Sequence, residues 1–157
     1  MNTSAVADSS ASLEIRRAEL RDVRSMRSID RDVFRTPWTE GATITQVTAP
    51  GRVHFVVERS HRLIGHGGLV FLDDEAHVAM IAVDKQWWGQ GVGDLLMGRL
   101  FEASKANGFS GLTLEVRESN TAAIGLYERH SLTVTGRRKR YYRDNGEDAI
   151  IMTGGGS

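Results

Sequence analysis

The stretch AMIAVDKQWWGQGVGD, residues 79–94, joins a short apolar segment to a turn that carries three glycines. Strand-forming residues end at Val83 and a helical pattern of apolar residues begins at Val92, so the turn lies between a strand and a helix. Glycines let the backbone approach a ligand closely, and the free N–H groups and dipole at a helix start favour a pyrophosphate. The stretch therefore predicts a phosphate-binding turn. The alternative is a tight turn whose glycines serve geometry alone.

Two other phosphate-binding motifs match this turn less well. A Walker loop needs a lysine followed by serine or threonine after its glycines, and neither is present. A dinucleotide fingerprint would place its third glycine at Asp94 or Leu96, and five residues separate Val83 from Gly89. Glu115, at the end of the next predicted strand, imitates the ribose-binding acid of such a fold, so a dinucleotide site stays an alternative.

Periodicity on both sides of the turn predicts one mixed α/β domain with the order β-α-α-β-β-β-α-β-α-β-β. Predicted strands cover residues 13–17, 53–59, 63–72, 77–83, 112–116, 132–142 and 148–152. The first predicted helix covers residues 20–33, and the second follows a cap at Thr39. The third runs from residue 92 to a stop at Gly108, and the fourth from a cap at Ser119 or Asn120 to Arg129. The second to fourth strands predict an antiparallel meander, and the segment 77–116 predicts a parallel strand pair.

The composition bounds the class of protein. A chain of 157 residues suffices for a single domain, which we place at residues 13–152 between a disordered lead, 1–12, and a flexible tail, 153–157. Lys plus Arg and Asp plus Glu both number 20, so no overall positive field exists to hold nucleic acid. The longest apolar run, residues 78–83, is far too short to cross a membrane. These features predict a cytoplasmic protein that binds neither nucleic acid nor membrane.

Other side chains narrow the kinds of site. The chain has no cysteine, which excludes disulfides, thiolate metal sites and a thiol nucleophile. His61 and His66 lack the spacing of metal ligands, so no metal is expected. The basic run at residues 137–140, beside Tyr141 and Tyr142, would suit RNA or an acidic peptide, or else a solvated edge strand protected by like charge.

The glycine turn is one of several motifs that point to a known family. The segment WGQGVG, residues 88–93, resembles the acetyl-CoA signature of the GNAT acetyltransferases, an Arg or Gln followed by x-x-Gly-x-Gly. Further segments are similar to RimI-type members of that family: LEVR (114–117), SN (119–120), AI (123–124), LY (126–127), Arg138 with Tyr141 and Tyr142, EDAIIM (147–152), and Phe34, Pro37, Trp38 and Thr39. The resemblance covers residues 13–152. Trp88 in place of Arg or Gln, and His130-Ser131-Leu132 in place of x-Gly-Phe, depart from the pattern.

The resemblance implies a GNAT fold, in which a mixed sheet of six to seven strands splits into a V between strands four and five and carries four helices. It implies acetyl-CoA as cosubstrate, without a metal. The implied cofactor-binding residues are Ile81, Ala82, Val83, Gly89, Gln90, Gly91, Val92, Gly93, Asp94 and Asn120. RimI-type enzymes acetylate the N-terminal alanine of a small-subunit ribosomal protein, so the implied partner is a protein N-terminus. Trp38, Arg138 and Tyr141 are the candidate substrate-binding residues.

Acetylation of an amine needs a proton acceptor and a proton donor. An α-amine, with a pKa of about 7.7–8.0, must lose a proton before it attacks a thioester. The resemblance assigns acceptance of this proton to Glu115. Burial or a water relay would have to raise the basicity of Glu115 for that role. In the alternative, Glu115 only pairs with Arg117. The resemblance assigns to Tyr127 the donation of a proton to the leaving thiolate. Tyr127 shares a helix face with Ile124, so the alternative is a core residue. The absence of cysteine favours direct transfer in a ternary complex.

Two further functions stay open. The same fold would also acetylate a lysine or a small-molecule amine, which peptides with free and blocked N-termini distinguish. A catalytically silent acyl-CoA or dinucleotide sensor would bind its ligand without turnover, so Glu115→Gln and Tyr127→Phe would have no activity to lose.

Overall fold

A computed structural model describes residues 12–155 of the chain; the predicted lead lies outside it up to residue 11, as do residues 156–157 of the predicted tail. Seven strands are present: β1 (Glu14–Arg17), β2 (Arg52–Arg59), β3 (Arg62–Phe71), β4 (Ala76–Val83), β5 (Leu112–Arg117), β6 (Leu132–Tyr142) and β7 (Glu147–Gly154). Four α-helices connect them: α1 (Val23–Val33), α2 (Glu40–Thr48), α3 (Val92–Ala106) and α4 (Thr121–Arg129). The predicted order of elements is confirmed, with short 3-10 turns added at Leu20–Asp22 and Lys85–Trp87.

The strands form one mixed sheet in the order β1-β2-β3-β4-β5-β7-β6. All neighbours are antiparallel except β4 and β5, which are parallel and pair only at His77 and Thr113. Beyond that pair the two strands diverge, so the sheet opens into a V. This arrangement confirms the predicted fold class, including the split between the fourth and fifth strands. The basic run of β6 lies on the edge strand of the sheet.

Local sequence explains where the helices begin and end. The Thr39 side chain accepts a hydrogen bond from the Ala42 N–H, and Asn120 accepts one from the Ala123 N–H, so both act as N-caps. Of the two candidate caps for α4, the structure therefore selects Asn120. Gly108, with a φ of 88°, follows the end of α3 in the left-handed conformation that stops a helix.

The main core lies between the sheet and α3. Apolar side chains of α3 are completely buried against the strands, among them Leu96, Met97 and Leu100. Leu69, Leu114 and Met152 contribute the facing strand side chains. This packing holds the N-terminus of α3 at the open side of the V, because the helix crosses directly behind β3 and β4.

The last strand is longer than the sequence predicts. Thr153 and Gly154 continue β7, where Thr153 pairs with Thr113 of β5 and Thr133 of β6. Residues 153–154 therefore belong to the domain, which the predicted boundary at 152 and tail from 153 onward had excluded. The backbone of these two residues is held by pairing with a strand on each side, which the local Gly-rich sequence does not indicate.

The end of α4 contains a strained residue. Ser131, where the family pattern has glycine, adopts a φ of 69° directly after the helix. A left-handed conformation costs a residue with a Cβ about 1 kcal/mol. We expect Ser131→Gly to raise the free energy of unfolding by about 0.5–1 kcal/mol, measured by denaturant titration. Ser110→Gly, at an exposed site without positive φ, is the matched control and should be neutral or slightly destabilising.

A chain of polar side chains is buried beneath α1. His66 on β3 contacts Asp30 of α1 (Nε2 to Oδ1, 2.8 Å) and His54 of β2 (Nδ1 to Nε2, 2.8 Å), and all three residues are almost fully buried. The Asp30 carboxylate and the two imidazole rings thus form a continuous hydrogen-bonded row, and His54 Nδ1 at its end has no hydrogen-bond partner. Gly68 is required beside it, since a Cβ there would lie 2.1 Å from His54 Nδ1.

Burial of His54 predicts a pH-dependent stability. Burial, aided by His66, lowers the pKa of His54 well below its usual value. Below about pH 6.5 the unfolded chain binds a proton at this residue that the native state does not, so stability falls as pH falls. We expect a loss of about 2 kcal/mol in the free energy of unfolding between pH 7 and pH 5 from this residue. His77, whose pKa Glu115 raises, contributes with the opposite sign, so the measured quantity is the difference from a variant.

Denaturant titrations of wild type and His54→Gln at the two pH values isolate that difference, because glutamine keeps an N–H donor without titrating. The variant should show a flatter pH dependence than the wild type. His61→Asn, at an exposed histidine, should keep the wild-type slope. Equal slopes in wild type and His54→Gln would contradict the assignment to His54.

Candidate active site

The open side of the V contains two adjoining cavities. The larger, about 790 Å³, lies between β4 and the N-termini of α3 and α4. The smaller, about 250 Å³, lies between β4, β5 and the loop that joins α1 to α2. Both are lined by Phe34, Ile81, Arg117, Asn120, Ala123 and Tyr127. Two ligands bound one in each cavity would therefore meet near Tyr127.

The glycine turn forms one end of the larger cavity. Gly89 and Gly91 have φ values of 77° and 87°, and a Cβ at either would meet no atom within 4 Å. Gly91 is the N-cap of α3 and offers no capping side chain, so the first N–H groups of this 15-residue helix are free for an anion. Gly93 instead allows close packing, because its Cβ would lie 3.0 Å from a methyl group of Leu126. The turn thus fits a pyrophosphate.

Asp94 is an acidic residue in this phosphate-binding turn, and it is neutralised by its neighbours. Its carboxylate accepts from His130 Nε2 (2.8 Å) and from Arg129 (3.3 Å). Burial alone would raise the pKa of Asp94, but the hydrogen bonds from His130 and Arg129 hold this pKa below its usual value. Arg129 also lines the larger cavity and offsets the negative charge of Asp94 beside the glycine turn.

The inner edge of β4 forms the wall of the larger cavity. Ile81, Ala82 and Val83 pair with β3 on one side, and after His77 no residue of β4 pairs with β5 on the other. The backbone groups along this open edge, apart from the Val83 carbonyl, suit the amides of an extended pantetheine arm. Trp88 takes the place of the usual Arg or Gln, and its indole Nε1 donates to the Val83 carbonyl (2.8 Å). The side chain at this position therefore bonds to the protein's own backbone.

Tyr127 of α4 is buried at the junction of the two cavities, with 8% of its surface exposed. Burial, with a smaller contribution from nearby Tyr142, raises the pKa of Tyr127 to about 12. The phenol therefore stays protonated at physiological pH. A buried phenol that stays protonated can donate a hydrogen bond to an anion that forms beside it.

Glu115 of β5 lines the smaller cavity and contacts two basic side chains. Its Oε1 lies 2.8 Å from His77 Nε2, and its Oε2 lies 3.8 Å from Arg138 Nε. The hydrogen bond from His77 lowers the pKa of Glu115, and burial, which acts in the opposite direction, does not reverse the effect. Burial therefore does not supply the rise in basicity that proton acceptance by Glu115 would need, because the basic neighbours outweigh it.

The remaining predicted residues lie at different distances from the cavities. Trp38 lines the smaller cavity, and Arg138 reaches its edge through Glu115. Gln90 lines neither cavity, and its side chain donates to the Gln86 carbonyl. Tyr141 is exposed and packs edge-on against Tyr142 outside both linings.

Several site residues were not found from the sequence. His77 lies beside Glu115, and Tyr142 lines the smaller cavity with its ring 4.0 Å below the guanidinium carbon of Arg117. Asp144, in the turn between β6 and β7, bonds to Arg117 (2.6 Å) and to Thr36 of the loop between α1 and α2 (3.0 Å). This Thr36–Asp144 bridge joins two loops across the rim of the site. No local pattern identifies these residues, because each acts through a partner distant in the chain.

Within residues 12–155, no three His, Cys, Asp or Glu side chains come together in a way that would hold a metal ion. None of the helices in these residues has the length and hydrophobicity of a bilayer span.

A diverging parallel strand pair, a glycine turn at a helix N-terminus and a phenol between two cavities form a site in which two ligands meet, one of them at a helix terminus that suits a phosphate. The chain belongs to the acetyltransferase (GNAT) family, whose model matches residues 23–131. Its cosubstrate is accordingly acetyl-CoA, and the predicted family, activity class and cosubstrate are confirmed.

Individual relatives agree with this assignment. The chain is 32% identical to the ribosomal protein bS18-alanine N-acetyltransferase of Escherichia coli (strain K12) over 136 residues, 85% of this chain and 91% of the relative. The crystal structure of the ribosomal-protein-S18-alanine N-acetyltransferase from Escherichia coli matches with a TM-score of 0.82 and 30% identity, covering 90% and 92% of the two chains. Arabidopsis thaliana NAA60 in complex with acetyl-CoA shares the fold, with a TM-score of 0.83 at 18% identity over 91% and 98%.

Proposed function

We propose that this protein transfers the acetyl group of acetyl-CoA to the α-amine of a protein N-terminus, by direct attack in a ternary complex. The observation that carries the proposal is the meeting of the two cavities at Tyr127, with Glu115 in the smaller one. A donor in the larger cavity and an amine in the smaller one place their reacting groups together without a covalent enzyme intermediate.

The smaller cavity suits the end of a peptide chain. Aromatic and apolar side chains of Phe34, Trp38, Met80 and Tyr142 line it, and Glu115 supplies its carboxylate. Its volume of about 250 Å³ fits a terminal residue with a small side chain. The Thr36–Asp144 hydrogen bond ties the loop that carries Phe34 and Trp38 to the turn that follows Tyr142, so it holds together two segments that contribute to this cavity.

The relatives' names support a ribosomal substrate. The similar Escherichia coli enzyme acts on an alanine of ribosomal protein bS18, and we propose the N-terminal alanine of a small-subunit ribosomal protein as the substrate here. Recognition of that peptide involves the smaller cavity, including Trp38, with Arg138 and Tyr141 at or beyond its rim. This function places the enzyme in the cytoplasm with its ribosomal substrate.

The residues then have defined roles. Acetyl-CoA supplies the acetyl group as a thioester. The free N–H groups of α3, beginning at Val92, bind its pyrophosphate, and the open edge of β4 from Ile81 to Val83 orients its arm. Glu115 accepts the proton that the α-ammonium loses before attack. As the new amide bond forms and the carbon–sulfur bond breaks, the nitrogen loses a second proton and the leaving sulfur, hydrogen-bonded by Tyr127, gains one, so that coenzyme A leaves as a thiol.

The test is incubation of the purified protein with acetyl-CoA and a peptide that begins with alanine and carries an internal lysine. Fragment mass spectrometry then locates the added acetyl group. Acetylation of the α-amine, lost when the N-terminus is blocked, is the expected result. Acetylation of lysine alone would overturn the proposal in favour of lysine or small-amine acetylation. Tight binding of acetyl-CoA without any product would favour a sensor.

A further inference from the structure

His77 and Glu115 form a pair at the vertex of the V. His77 is the last residue of β4 that pairs with β5, through Thr113, and Glu115 lies two positions further along β5. Their side chains are 26% and 16% exposed, and a 2.8 Å contact joins His77 Nε2 to Glu115 Oε1. The pair thus lies where the two strands begin to separate and the smaller cavity begins.

The ionisable groups around the pair come from two parts of the chain, the residue before β4 and strand β6. Glu75 precedes β4, Arg138 of β6 lies 3.8 Å from Glu115 Oε2, and Tyr142 of β6 lies near Glu115. Glu115 and Glu75 raise the pKa of His77, while burial and Arg138 act against the increase. Positive charge from His77 and Arg138 lowers the pKa of Glu115.

These neighbours create a difficulty for Glu115 acting alone. A carboxyl group below its ordinary pKa of about 4.3 is a poor acceptor for a proton from an α-ammonium of about 7.7–8.0. An imidazole titrates much closer to that amine, and the two groups are near enough to titrate as one unit.

We propose that His77 is a positioning residue for acetyl transfer, which orients Glu115 through Nε2–H and whose own protonation sets the pH range in which the Glu115 carboxylate accepts the proton. The active form has a neutral His77 and an ionised Glu115. The α-ammonium loses one proton, the pair gains it at the carboxylate, and the pair later returns it to solvent. When His77 is already protonated, its charge holds Glu115 in an ion pair and weakens it as a base. The proposal rests on the α-amine acetylation proposed above.

The pH dependence of kcat in His77→Gln tests this role. Glutamine keeps an N–H donor for Glu115 but does not titrate. The orientation of Glu115 is therefore retained, while the titration of the residue at position 77 is lost. With both substrates saturating, we expect the acid limb of the kcat profile to move to lower pH by about one unit or more. The kcat on the plateau should stay close to the wild-type value, because glutamine keeps the N–H donor that orients Glu115. His77→Ala should show the same shift and a loss of kcat on the plateau, since it also removes the hydrogen bond.

Unchanged acid limbs in both variants would overturn the proposal, because a purely structural His77 would alter the rate without moving the limb. Binding of acetyl-CoA by each variant with the wild-type affinity shows that the fold is intact. The amine is common to all these reactions, so its own titration cancels in the comparison.

A second measurement separates this proposal from the proposed function. NMR titration of the His77 ring needs no substrate, and its midpoint should fall in Glu115→Gln relative to wild type. A wild type that acetylates no α-amine but shows this coupling would contradict the function and leave the pair intact. An active wild type without the coupling would overturn the role of His77 alone.

Discussion

Glu115→Gln should lower kcat for α-amine acetylation by about 10²–10⁴-fold, the range measured for loss of a general base. The amide keeps the size of the side chain and an oxygen that accepts from His77 Nε2, so the geometry at the vertex of the V is retained. The glutamine amide does not accept a proton. The reaction must then rely on the fraction of the amine that is already neutral. Steady-state kinetics at saturating acetyl-CoA and peptide measures the change.

Glu118→Gln provides the matched control. Glu118 follows β5 three positions after Glu115, is half exposed and pairs with Arg137 at the surface. The same chemical change there should leave kcat at the wild-type value, because it lies outside both cavity linings. Glu115→Gln with at least a tenth of the wild-type kcat would show that proton acceptance does not depend on this carboxylate.

Tyr127→Phe should lower kcat by about 10²–10³-fold while acetyl-CoA affinity changes little. The phenol is the hydroxyl donor buried at the junction of the two cavities, and a single donor aimed at developing charge in a water-poor site has an effect of this size. Phenylalanine keeps the ring that packs among the core side chains, so the melting temperature should stay close to that of the wild type. Single-turnover kinetics separates the chemical step from binding.

Tyr142→Phe distinguishes Tyr127 from the other phenol of the site. Tyr142 is half-buried, and burial raises its pKa to about 12 as well, but it lines only the smaller cavity, away from the donor. We expect a smaller loss of kcat than in Tyr127→Phe, with the effect mainly on the KM for the peptide. The reverse order of the two losses would assign the proton donor to Tyr142.

Sequence patterns predicted much of the fold because the signals are local. The cap at Asn120, the stop at Gly108 and the switch from strand to helix around the glycine turn each depend on neighbours within a few residues. The residues of the glycine turn line the larger cavity for the same reason, since a backbone cradle needs only the glycines and the helix that follows.

Interactions between distant segments were not predictable in the same way. His77 lies 38 residues from Glu115, His66 lies 36 residues from Asp30, and no periodicity marks either histidine as a partner. The effect of His77 on the basicity of Glu115 was not predictable, because which side chains lie beside Glu115 depends on the register between β4 and β5. Trp88 similarly bonds to the Val83 carbonyl, which the substituted motif does not reveal.

By itself, the sequence determined the element order, the helix caps, the glycine turn and, through its motifs, the family. Only the tertiary structure decided the electrostatic environment of Glu115, the burial of Tyr127 between the two cavities and the pairing of the last strand as far as Gly154. The physical reason is that backbone conformation responds to adjacent residues, whereas a pKa, a cavity or a strand edge depends on groups that folding brings together from distant parts of the chain.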